Sequence, residues 1–237
     1  MMPKNNSLVL SIKPIFNTLL IMACMLVLAS VAGQVMKYIF GHPAVYGLVD
    51  LFNVNREQNI PTLFSVLLLI SCSVLLSLIF YLHRKQEGGL KMYWATLAIG
   101  FVYMAIDEFT QLHESVGILF IPLIGDHSHG FLYFSWVIPA MALMIFLAIF
   151  YTSFLFKLPK TTRINFIIAG IIYLTGLLGI EMLGAYYYEL HAGENLTYSL
   201  ITTLEESLEM LGLILFIRAL LNYLSAHFSE ITINFQR

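Results

Sequence analysis

Apolar residues run on along this chain well past what one face of a soluble helix needs. Six stretches, 15–39, 61–82, 92–119, 131–156, 164–188 and 198–223, are mostly apolar around the whole helical circumference. A membrane-spanning helix needs about 20 such residues, and a helix apolar on every side must be buried or in lipid. The pattern predicts an all-α fold, a polytopic membrane helix bundle with six transmembrane helices forming one integral membrane domain over 1–237. The connections are short apart from 40–60, where Val45, Leu48, Val49 and Phe52 predict a short helix in the interface. No repeat or soluble insert is visible.

Composition agrees with this class. Hydrophobic residues make up 59% of the chain and charged ones 11%, against roughly 25% charged in soluble domains. The net charge of −2 excludes a strongly basic nucleic-acid binder. Cys24 and Cys72 lie in apolar runs, so neither a disulfide framework nor a cysteine zinc site is readable.

Lysine and arginine set the orientation. Lys4, Lys13, Arg84, Lys85, Lys91, Lys157, Lys160, Arg163, Arg218 and Arg237 fall on one side of a six-span arrangement, and only Lys37 and Arg56 on the other. The bias places both termini in the cytoplasm. Ser30-Val31-Ala32 would suit signal cleavage. The apolar run before it exceeds the roughly 7–15 residues of such a signal, so the first segment reads as a span, with cleavage as the alternative. Tyr93 and Trp94 at the inner boundary and Tyr186, Tyr187 and Tyr188 at the outer one suit aromatic belts. Pro139 is expected to kink the fourth span. Gly170, Gly176, Gly179 and Gly184 would let a neighbour approach the fifth.

Carboxylates interrupt this pattern in three spans only. The third carries Asp107, Glu108, His113 and Glu114, the fifth Glu181, and the sixth Glu205, Glu206 and Glu209. At about 1.5 Å per residue, Asp107 stands roughly 24 Å beyond Lys91 and Glu181 roughly 27 Å beyond Arg163. Glu205 and Glu209 return to the same outer half. At about 100° per residue Asp107, Gln111 and Glu114 share one face, as do Glu205 and Glu209. Each acid costs about 2.5–3.5 kcal/mol near the bilayer centre, and no lysine or arginine lies at their depth. Three compensations remain: protonation, a bound metal cation, or a water-filled cavity. Hydrogen-bonded helix glue is a weaker justification, because such bonds average well under 2 kcal/mol in membranes. Oxygen donors with one histidine suit a divalent metal ion, Mn, Fe, Zn, Mg or Ca. His127 and His129, between Gly125 and Gly130, read mainly as an exposed turn, with accessory ligation as the lesser reading.

Three motifs carry a resemblance: Glu57-x-Asn59-Ile60-Pro61-Thr62-x-Phe64-Ser65, Asp107-Glu108-x4-His113-Glu114 and Glu205-Glu206-x2-Glu209-Met210-x-Gly212. Together they resemble an uncharacterised family of bacterial multi-pass inner-membrane proteins. The resemblance implies a bacterial inner-membrane location and no particular activity. Two functions follow from the acids themselves. One is a metal-dependent enzyme acting on a lipid-like substrate, a carboxylate serving as base and the metal activating water. The other is a proton- or cation-handling transporter or channel. A structural assembly factor is a third class. Reporter fusions at Asn55, His127 and Asn195 should all read as external; an internal signal at any of them would overturn the orientation.

Overall fold

A computed structural model describes residues 11–84, 90–124 and 129–228. Every regular element among them is helical: α1 (Ile12–Tyr38), α2 (Leu48–Phe52), α3 (Ile60–His83), α4 (Leu90–Thr110), α5 (Leu112–Ile124), a 3₁₀ turn (Gly130–Leu132), α6 (Val137–Lys157), α7 (Lys160–Leu174), α8 (Glu181–His191) and α9 (Leu196–His227). A π-helical segment, Thr175–Ile180, joins α7 to α8 without a break. Five helical stretches are long and apolar enough to cross a membrane: Ile12–Tyr38, Ile60–His83, Val137–Lys157, Lys160–His191 and Leu196–His227.

The third predicted span is not one helix. Gln111 adopts a left-handed backbone, φ +55°, and separates α4 from α5. The break has a partner that stabilises it. Asp107 Oδ1 accepts the His113 backbone N–H at 2.7 Å, serving one of the donors that every helix start leaves open. The shared face expected for Asp107, Gln111 and Glu114 is therefore lost. Pro139 does not kink a span either. Since α6 begins at Val137, the proline sits in its first turn, where a missing N–H costs nothing.

The start of α3 explains its local sequence. Asn59 Oδ1 accepts the Thr62 N–H at 3.1 Å, and Asn59 Nδ2 donates to the carbonyls of Asn53 and Asp50. Pro61 occupies the first turn. Ser30 on α1 accepts the Val54 N–H at 3.1 Å. The long loop is thus fastened both to α1 and to α3.

Helix α9 is the centre of the bundle. It packs against α1, α3, α7, the π segment and α8, while α3 lies along α4. In its most apolar stretch 56% of residues are buried, against 11% in α1 and α6, which lie at the periphery. The core holds Cys72, Leu76, Ile79, Ile214 and Leu220, all fully buried. Trp94, expected in an interfacial belt, is fully buried as well, edge-on to Phe154 and Phe166 and tilted against Tyr223.

Two glycines set how closely α9 meets α7. A Cβ on Gly212 would stand 2.8 Å from the Tyr173 backbone nitrogen, and one on Gly176 would stand 2.7 Å from the Glu205 carbonyl oxygen. Of the other span-five glycines, Gly170 meets nothing, Gly179 only a side chain of its own turn, and Gly184 makes ordinary contact. Gly212→Val should lower stability by about 1–3 kcal/mol, the usual cost of overpacking, whereas Gly170→Ala should leave it nearly unchanged. Thermal melting of the purified variants in mild detergent checks both.

Candidate functional site

The acids gather around α9. Glu205, Glu206 and Glu209 project from its middle, where α9 meets the π segment. Glu181, first residue of α8, lies within hydrogen-bonding reach of Glu205. Glu108, near the end of α4, lies in electrostatic range of Glu206 and Glu209. All five side chains are partly buried.

The π segment places Glu181. A π turn carries one residue more than an α turn and occurs often at functional sites. Close approach at Gly176 allows the acid-bearing turn of α9 to sit against this segment. Tyr173, one turn below, donates its hydroxyl to Glu209.

A second group joins from α4 and α5. Asp107 Oδ2 lies 3.0 Å from His113 Nδ1, so this carboxylate both caps α5 and orients the imidazole. The His113 ring packs on Trp136, with ring centroids 4.7 Å apart. Trp136 Nε1 in turn donates to Glu181 Oε1 at 3.2 Å. A continuous line of contacts therefore runs Asp107, His113, Trp136, Glu181, Glu205. It crosses from α4 to α9 through residues of four elements.

Of the predicted site residues, Asp107, Glu108, His113, Glu181, Glu205, Glu206 and Glu209 belong to this assembly. Glu114 is exposed at its rim, in electrostatic range of Glu57 and Glu181. His127 lies outside the described residues. His129 Nδ1 lies 2.9 Å from Glu189 Oε1, while the Gly130 N–H donates to Glu189 Oε2. That pairing ties the 3₁₀ turn to α8.

Glu57 is the eighth carboxylate, and sequence reasoning missed its role. It bonds to the side chain of Gln111 and lies in electrostatic range of His113 and Asp107. Left-handed residues adjoin both ends of this contact: Gln58, φ +59°, and Gln111 itself. Non-glycine residues seldom adopt that backbone, and such strain clusters at functional sites. The motif around Asn59 was the available signal. It builds the helix start that holds Glu57 over the chamber.

Positive charge is scarce here. Lys37 is engaged by Glu194 at 3.5 Å and Arg56 by Asp50 at 3.3 Å, so the two cations of this end are paired elsewhere. The hydroxyls of Thr202, Thr203 and Ser207 all donate to carbonyls within α9, leaving none for the acids. Glu205 Oε2 and Glu57 Oε2 are buried without a hydrogen-bond partner. Among the described residues no three histidine, cysteine or acidic side chains converge as a ready-made metal site. The acids stand in pairs and short lines.

No curated protein and no solved structure matches this chain. One family model does, over residues 18–224, and that match takes in all three motifs and every helix that carries an acid of the chamber. The chain belongs to the family described as a domain of unknown function, DUF8692.

Proposed function

We propose that this chain is a six-span membrane protein with both termini in the cytoplasm, whose outer chamber exchanges protons for a divalent cation. The observation that supports this most is the charge imbalance. The assembly holds eight carboxyl groups and one imidazole, and Lys37 and Arg56 are bound to other acids. Two carboxyl groups within hydrogen-bonding reach, Glu181 and Glu205, need a proton between them or a cation beside them. A metal ion supplies the missing charge and releases those protons on binding.

The donors favour a hard ion such as Mg²⁺, Ca²⁺ or Mn²⁺ over softer ones. Their pairwise spacing suits an ion that keeps part of its water shell and takes only one or two carboxylates directly, as Mg²⁺ does. The Asp107–His113 and Glu181–Glu205 pairs favour a second reading, proton handling without a fixed metal. The enzyme version, metal-activated water attacking a lipid-like substrate, requires the metal first, so the same measurements decide it.

Element analysis of purified wild type should find near-stoichiometric metal, lost in Glu108→Ala, Glu205→Ala and Glu209→Ala, and a melting point lowered by chelator. A metal-free wild type, unmoved by chelator or by added Mg²⁺ and Mn²⁺, would leave the proton reading alone standing.

Acidity gives a separate test at the rim. Burial pushes the Glu57 carboxyl above its ordinary value near 4.5, with Gln111 and His113 drawing it part of the way back. The folded chain therefore holds this proton to higher pH than the unfolded chain does. The stability it contributes is present below 4.5 and is lost as pH rises through the folded value. The melting point of metal-free protein should fall over that window, less steeply in Glu57→Gln, and added divalent ion should restore it at the upper end.

A further inference from the structure

The end of the bundle opposite the acids carries a site of reversed charge. Helices α1, α7 and α9 leave two adjoining cavities there, of about 170 and 350 Å³, which share Arg218 and Asn222 of α9 as their common wall. Asn165 and Ile168 of α7 complete the first; Lys13, Phe16 and Asn17 of α1 complete the second. Arg218 lies thirteen residues past Glu205, roughly 20 Å along the helix. It also lies beside Phe16, barely one turn in from the start of α1, which is the depth of a membrane interface.

The lining has a single chemical character. It offers two cations, three side-chain amides and no carboxylate. The Arg218 guanidinium rests over the Phe16 ring, 4.7 Å from its centroid, and no acid among the described residues pairs with it. A cation stacked in this way keeps its N–H edge free. Arg218, Asn222, Lys13 and Asn17 are all exposed on the outside of the bundle, beside Ile168, which is exposed too. An exposed arginine near the end of a spanning helix reaches to the interface, where anionic headgroups lie.

We propose that this groove binds the phosphate of an anionic phospholipid in the leaflet opposite the acidic chamber. Arg218 presents two parallel N–H donors to the phosphate oxygens, the geometry in which guanidinium binds phosphate most strongly. Asn222 and Asn17 add amide donors, and Lys13 adds a point charge at the mouth. Ile168 and Phe16 flank the acyl chains. Basic pockets between helices on the cytoplasmic side are recurrent headgroup sites, and the lysine and arginine bias turns this end toward the cytoplasm. The lipid source is preferred over free phosphate because the groove opens along the lipid-facing side of α1 and α7.

The test uses full-length protein reconstituted in phosphatidylcholine with spin-labelled phosphatidylglycerol or spin-labelled phosphatidylcholine. The immobilised fraction of each gives a relative association constant. Wild type should select phosphatidylglycerol, and Arg218→Gln and Lys13→Gln should each lose about fivefold of that selectivity, the share of one basic side chain at an anionic surface. Arg218→Lys should recover part of the loss. Should Arg218→Gln fail to fold, Lys13→Gln and Asn222→Ala carry the test. Equal immobilisation of both labels in wild type, or selectivity untouched in the variants, overturns the proposal. Displacement of the label by millimolar inorganic phosphate overturns the lipid assignment.

Discussion

Like charges gathered at one depth of a helix bundle repel, and the helices that carry them stay together only through contact elsewhere. Two unit charges 4 Å apart interact by about 4 kcal/mol at an effective dielectric constant of 20. Several such pairs would exceed what one helix contact returns. The opposing contact is the seam between α9 and α7, where Gly212 admits the Tyr173 backbone and Gly176 admits the turn that bears Glu205 and Glu209. Below it the fully buried Leu76, Ile79, Ile214 and Leu220 join α3 to α9. Repulsion at one end of the bundle is thus set against apolar packing at the other.

The donors around the acids share a property that bears on this balance. Trp136, Tyr173 and Gln111 are neutral, and each supplies one hydrogen bond to a carboxyl group. A neutral donor orients a carboxylate without cancelling its charge. Arginine or lysine in the same places would have closed the site as an internal ion pair. The tyrosine and tryptophan instead hold Glu209 and Glu181 in place without neutralising them.

Much of this architecture is legible in the sequence. The apolar runs mark the long helices, because lipid and core alike demand apolar side chains on every face. The convergence of Glu108, Glu181, Glu205 and Glu209 follows from counting rise along antiparallel helices. What was not legible lies where the backbone leaves the ideal helix. Nothing at Thr110 or Gln111 resembles a glycine or proline stop, since the break is held by a carboxylate four residues upstream. Glu57 lies in a loop whose path is fixed by tertiary bonds, Ser30 to Val54 and Asn59 to Asn53, which periodicity cannot register. Trp136 falls within the apolar run 131–156 but lies just before α6, because the helix starts six residues later than that run.

The π segment has a consequence of phase. From Thr175 to Ile180 the chain carries one residue more than an α-helix of that length would hold. One residue is about 100° of rotation, so the inserted residue decides which way all of α8 points. A register change anywhere in those six residues would turn Glu181 away from Glu205 while leaving every side chain of the chamber chemically intact. The identity of the acid and the length of the backbone before it are thus two separate inheritances, and the site requires both.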